Sequence, residues 1–141
     1  MSMVLSKLIA TETVKISMAR IWTGWSISGP IIAFLVFDIM AKFAKPTQVV
    51  DALARTGWPV VLSPILGAIL LVCTVLYVIP QTSVLGAILL TGYLGGAVAT
   101  NLRLENPLFS HTLFPVYFGV LAWVGLWLRD TRLVTLFPFV K

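Results

Sequence analysis

The sequence predicts an all-α integral membrane protein: an antiparallel bundle of four transmembrane helices, with a short interfacial helix between spans one and two. Three observations predict it. Of the 141 residues, 59% are hydrophobic and only 11% are charged. That is too little charge to cover a water-soluble domain of this size, so apolar surface must face lipid or a partner. Four stretches, at about 21–43, 58–79, 83–102 and 112–128, reach the roughly 20 mostly apolar residues that a spanning helix needs. Turn and charge signals separate them. No internal repeat, low-complexity tract or separate soluble domain is visible, so residues 1–141 are expected to form a single membrane domain.

The first twenty residues, MSMVLSKLIATETVKISMAR, carry Lys7, Glu12, Lys15 and Arg20. They lack the uninterrupted apolar core and small-residue cleavage site of a secretory signal. Val4, Leu5, Leu8 and Ile9 fall near one helical face, and both a short interfacial helix and a disordered tail stay open for this segment. Span one contains Gly29-Pro30, where the proline removes a donor and crowds the preceding turn, so a kink is expected there. KPTQVVDALARTGWP follows, with a proline start, apolar Val49, Val50 and Leu53, and a Gly57-Trp58-Pro59 stop. This is the expected surface helix. Pro80-Gln81-Thr82 is too short for anything but a tight turn between neighbouring spans two and three. The connection RLENPLFSH is longer and more polar, and leads into span four.

Four spans put both termini on one side. That side carries Lys7, Lys15, Arg20, Arg129, Arg132 and Lys141, against Lys42, Lys45, Arg55 and Arg103 opposite. The positive-inside rule then places the termini in the cytoplasm. Trp22, Trp25, Trp58 and Trp127 sit near span ends, as an aromatic belt requires. The single cysteine, Cys73, lies in an apolar run; it excludes an intrachain disulfide and reads as a buried structural thiol.

The glycine-rich run LLTGYLGGAVATNLR, residues 89–103, is not a phosphate loop. It has no preceding strand, no G-x-G-x-x-G order and no Lys-Ser/Thr pair. Its spacing places Ala87, Thr91, Gly95 and Ala99 on one i, i+4 line and Gly92, Gly96 and Thr100 on the next. Small residues let membrane helices approach closely, so helix packing is the expected role. A groove that admits a flat ligand against exposed backbone is compatible with it.

Asp38 and Lys42 share a helical face near the end of span one. Antiparallel order brings that end to the same membrane side as the end of span three and the start of span four. Asp38, Lys42, Thr100, Asn101, Arg103, Glu105 and His111 are therefore expected at one depth, around one mouth. Snorkelling to headgroups would explain Lys42 and Arg103 without a site. Ionisable groups at membrane depth are nonetheless functional candidates by default. The opposite mouth offers Arg20, Gln81, Thr82, Arg129 and Asp130, most of which read as ordinary boundary residues.

LLTGYLGGAVATNLR, the earlier FDIMAKF with PTQVVDALARTGWP, and the later LFPVYFGVLAWVGLWLRDTRLVTLFP resemble the DoxX-like family of small four-helix membrane proteins, over about residues 20–138. The resemblance implies a four-span bundle in a bacterial inner membrane, in a grouping whose name comes from a subunit linked to thiosulfate and quinone oxidation. The family-like polar positions map onto Asp38, Lys42, Asn101, Arg103, Arg129, Asp130 and Arg132.

Paired-histidine haem ligation is excluded by the single His111, and the spacing supplies no ligand set for zinc or a di-metal site, so no metal is expected. No nucleophile motif is present. The leading reading is a protein that binds a hydrophobic small molecule, a lipid or a partner subunit at the polar mouth. A quinone-linked oxidoreductase subunit is the first alternative, with quinone as candidate cofactor, and a small transporter acting as an oligomer is the second. Expected partners are the bilayer and a membrane subunit or further copies of the chain, with no nucleic acid. Catalytic residues, and whether the chain is an enzyme, stay open.

Overall fold

A computed structural model describes residues 16–136 as a series of helices, and among those residues there is no strand. Helix α1 (Met18–Ala44) is followed by α2 (Thr47–Thr56), then a 3-10 turn at Val60–Leu62 that leads into α3 (Ser63–Val78). After α4 (Ser83–Arg103) come a π-helical turn at Leu108–Thr112, α5 (Phe114–Arg129) and the short α6 (Thr131–Leu136). Four segments are long and apolar enough to cross a membrane: Met18–Ala44, Val60–Val78, Ser83–Arg103 and Leu108–Arg129. The chain is a four-span integral membrane protein with a short helix between spans one and two. The reading of the first residues as interfacial helix or tail falls mainly on residues 1–15, outside the described ones.

Local chemistry sets the ends. Ser17 caps α1 by accepting the Arg20 N–H on Oγ at 3.3 Å, so the helix starts before the apolar run does. It then runs through Pro30 without a break. Lys45 closes it in the left-handed region, its N–H donating to the Ala41 carbonyl. Helix α2 ends in a Schellman motif: Gly57 has φ +73°, its N–H donates to Ala54, and the Trp58 N–H donates to Leu53 at 2.9 Å. The same motif closes α4 with Glu105 as the left-handed residue, at φ 54°. There the Glu105 N–H donates to Leu102 and the Asn106 N–H to Asn101.

The four spans form a square. Helix α1 packs on α3 and α5, and α4 packs on the same two, so neighbours around the square alternate in direction. Ile31, Leu35 and Ile39 point inward from α1 at i, i+4 spacing and meet Leu70, Cys73, Tyr77, Leu90 and Leu126. Large apolar side chains such as Phe37, Ile65, Ile88 and Val120 cover the outside, as a lipid solvent requires.

Backbones approach most closely at isolated glycines. A Cβ on Gly86 would lie 2.1 Å from the Tyr77 nitrogen, so α3 and α4 touch directly beyond their turn. A Cβ on Gly24 would lie 2.9 Å from the Gly125 carbonyl oxygen, and one on Gly125 would lie 2.5 Å from Ser28 Oγ. Gly92, Gly95 and Gly96 lie elsewhere: each faces open space, with no atom within 4 Å of where a Cβ would stand. Of the residues singled out for packing, Ala87 is buried, whereas Thr91 and Ala99 are exposed.

Candidate functional site

The polar positions at the α2 end of the bundle divide into separate places. Asp38 and Lys42 form an ion pair one helical turn apart, with 34% and 16% of their side chains exposed. They line a cavity of about 220 Å³ between α1, α4 and α5, floored by Leu70 of α3. Tyr93 lines it too, and its hydroxyl makes no hydrogen bond to another described residue. Phe34, Phe114 and Phe118 complete the wall as a cluster of mutually tilted rings, with centroids 4.5 to 5.9 Å apart.

Arg103 turns away from that cavity and donates from Nη2 to the Thr56 carbonyl at 2.7 Å, tying the end of α4 to the end of α2. With Thr100, Trp58 and Gly57 it borders a second recess of about 410 Å³. Asn101 belongs to the turn after α4: it donates to the Ala97 carbonyl and accepts from Asn106 Nδ2 at 2.8 Å. Glu105 is exposed at its left-handed position, and His111 is exposed with Nδ1 2.7 Å from Ser110 Oγ. Of the residues expected around one mouth, the structure brings Asp38 and Lys42 together at the cavity, sets Thr100 and Arg103 at the second recess, and leaves Asn101, Glu105 and His111 in or after the turn that ends α4.

The glycine run contributes differently. Thr91, Gly95 and Val98 of α4 and Gly119, Val120 and Trp123 of α5 line an open apolar groove of about 390 Å³ on the lipid face. Thr91 Oγ1 donates to the Ala87 carbonyl, so the 2.8 Å contact from Trp123 Nε1 must be accepted by that same oxygen. This bond crosses one end of the groove. At the other end Leu94 and Pro115 line both groove and cavity, so the polar pocket lies directly beside the apolar channel.

At the α6 end the hydrogen bonding is denser than the sequence suggests. Asp130 is only 8% exposed. Its Oδ1 accepts from the Arg132 backbone N–H and Nε, and its Oδ2 accepts from Arg132 Nη2 at 2.6 Å and Ser83 Oγ at 3.1 Å. Arg132 also donates to the Gln81 and Pro80 carbonyls, so the start of α6 is latched onto the α3–α4 turn. Burial alone would raise the Asp130 carboxyl pKa, but the bonds from Arg132 and Ser83 outweigh it and hold the pKa below the usual value. Those bonds raise the Arg132 pKa in turn. These are therefore not simple boundary residues. The signal in the sequence was an acid two residues before an arginine at a span end, but it gives no hint of Ser83.

Between the two ends, Tyr77 donates its hydroxyl proton to the Ala122 carbonyl at 2.7 Å, so the Ser28 hydroxyl must donate to Tyr77 at 3.0 Å. This joins α1, α3 and α5 through buried polar atoms that water does not reach.

An antiparallel four-span bundle with an ion-paired cavity beside a lipid-facing groove defines a small α-helical membrane protein. It belongs to the DoxX-like family, whose model matches residues 26–125. No curated protein and no solved structure matches the chain.

Proposed function

We propose that the chain binds a membrane-dissolved amphiphile, its polar head in the Asp38–Lys42 cavity and its apolar tail along the α4–α5 groove. The carrying observation is that the two spaces are neighbours, with Leu94 and Pro115 as common walls. The cavity, at about 220 Å³, is smaller than the roughly 300–1,000 Å³ of ordinary ligand sites. The groove adds about 390 Å³ and brings the pair into that range. A quinone fits this chemistry: Lys42 and the Tyr93 hydroxyl supply donors to ring carbonyls, the phenylalanines pack on the ring, and an isoprenoid tail lies over Gly95 and Gly119. As a quinone-linked oxidoreductase subunit, the chain would take its electrons from a partner. The charge bias supports a topology with both termini cytoplasmic, and membership of the DoxX-like family supports a bacterial inner membrane as its place.

A second occupant of the groove is a helix from a partner subunit or another copy of the chain. The open space over Gly92, Gly95 and Gly96 favours it. Native mass spectrometry of protein extracted in several mild detergents separates the two. A bound quinone or lipid, lost in Gly95→Leu, supports the amphiphile. A stable oligomer with no small molecule in any detergent overturns it.

A further inference from the structure

At the α6 end, positive charge exceeds negative. Arg20, Arg129 and Arg132 gather there with Asp130 as the one described carboxylate among them, and both oxygens of Asp130 are committed to Arg132 and Ser83. Arg129 is held by other means. Its guanidinium carbon lies 4.2 Å from the Trp25 ring centroid and 4.8 Å from that of Tyr77, and Nη2 donates to the Tyr77 carbonyl at 2.9 Å. Its Nε is buried with no partner among the described residues. Arg20 is likewise stacked, 4.3 Å from the Trp127 ring, with its own Nε buried and without a partner among the described residues. Two cations are therefore fixed by ring faces and backbone carbonyls, with no described counter-charge.

Arg129 and Arg132 border a cavity of about 360 Å³, with Trp25, Gln81, Thr131 and the Arg132-paired Asp130 carboxylate as further walls. The side chains of Gln81 and Thr131 make no hydrogen bond to another described residue, so they add neutral donors to two guanidiniums. Trp25 is partly exposed at the rim, where an indole marks the headgroup level of a bilayer.

We propose that this cavity is a site for a phosphate-type oxyanion, distinct from the amphiphile site at the other end. Several acceptor oxygens on one anion match planar guanidiniums approached from two sides, which is the geometry that selects arginine for phosphate. The anion supplies a counter-charge that Arg20 and Arg129 do not find among the described residues. Its source is either an anionic phospholipid headgroup or free phosphate.

The test uses the full chain, wild type and Gln81→Glu, which puts a carboxylate at the cavity rim and keeps the backbone carbonyl that Arg132 uses in the latch. Two probes distinguish the sources: phosphatidylglycerol against phosphatidylcholine in native mass spectrometry, and inorganic phosphate against chloride at equal ionic strength in thermal denaturation. Preferential retention of phosphatidylglycerol identifies a headgroup site, and stabilisation by phosphate alone identifies a free-anion site. In either case Gln81→Glu weakens the effect at least tenfold, and Arg129→Gln abolishes it. No preference for either probe, or equal binding by Gln81→Glu and wild type, overturns the proposal. So does phosphate binding that appears only in Glu12→Gln, because the chain's own Glu12 would then be the counter-charge.

Discussion

Asp130 shows how one carboxylate can carry an inter-helix contact. Its folded-state pKa is depressed, so its stabilisation is fully present above the ordinary carboxylate value of about 3.9 and is lost as pH falls through the lower folded value. The melting-temperature difference between wild type and Asp130→Asn should stay constant from pH 7 to about pH 5 and shrink below about pH 4. Because Arg132 is 49% exposed, the loss at neutral pH should be about 1–3 kcal/mol rather than that of a fully buried pair. The Asp38–Lys42 pair behaves differently, because it sits in a span. Asp38→Asn leaves an ammonium without its partner at membrane depth and should destabilise by up to about 2.5–3.5 kcal/mol. Adding Lys42→Met should restore stability, since two neutral side chains need no mutual compensation. Ligand retention should not return, and a double variant that still held ligand would remove the pair from the binding account.

Helix contacts separate the glycines that hold the bundle from those that shape its surface. Gly86→Ala forces a methyl into the backbone of Tyr77 and Leu76, at 2.1 and 2.5 Å. It should cost at least the roughly 1–3 kcal/mol of ordinary overpacking, read as a lower melting temperature in detergent. Gly95→Ala meets nothing within 4 Å and should leave stability unchanged or raise it by up to about 1 kcal/mol through helix propensity. Equal destabilisation by the two would contradict the placement of the α4 face. The pattern in GYLGG marks a helix with small side chains, but a pattern cannot say which way the face turns. Gly24, Gly86 and Gly125 are isolated in sequence and give no periodic signal, yet they make the close approaches. The interfacial helix was easier to read, because its proline start, apolar Val49, Val50 and Leu53, and Gly57 stop are all local.

For the bundle as a whole, hydropathy and loop length were enough to give four spans, their alternating direction and the α3–α4 hairpin, because lipid permits few other solutions for a chain this apolar. They also assigned each polar residue to one end. What they lacked was rotation about each helix axis. Arg103 reaches α2, Asn101 serves its own turn, and only Asp38 and Lys42 face the cavity that Tyr93 shares. Ser83 joins Asp130 across 47 positions of sequence, a contact that packing makes and no motif announces. The cavity and groove likewise exist only between helices. From Pro115 to Val124 the groove follows α5 for about 14 Å at 1.5 Å per residue, which is enough to hold an extended tail segment. A quinone carrying a photoreactive group on its tail tests this claim most directly. After irradiation in membranes and peptide mapping, the label should fall on groove residues such as Val98, Val116 and Val120, and excess unlabelled quinone should compete it away. Label spread evenly over the lipid-facing residues of all four spans, insensitive to competitor, would contradict the account.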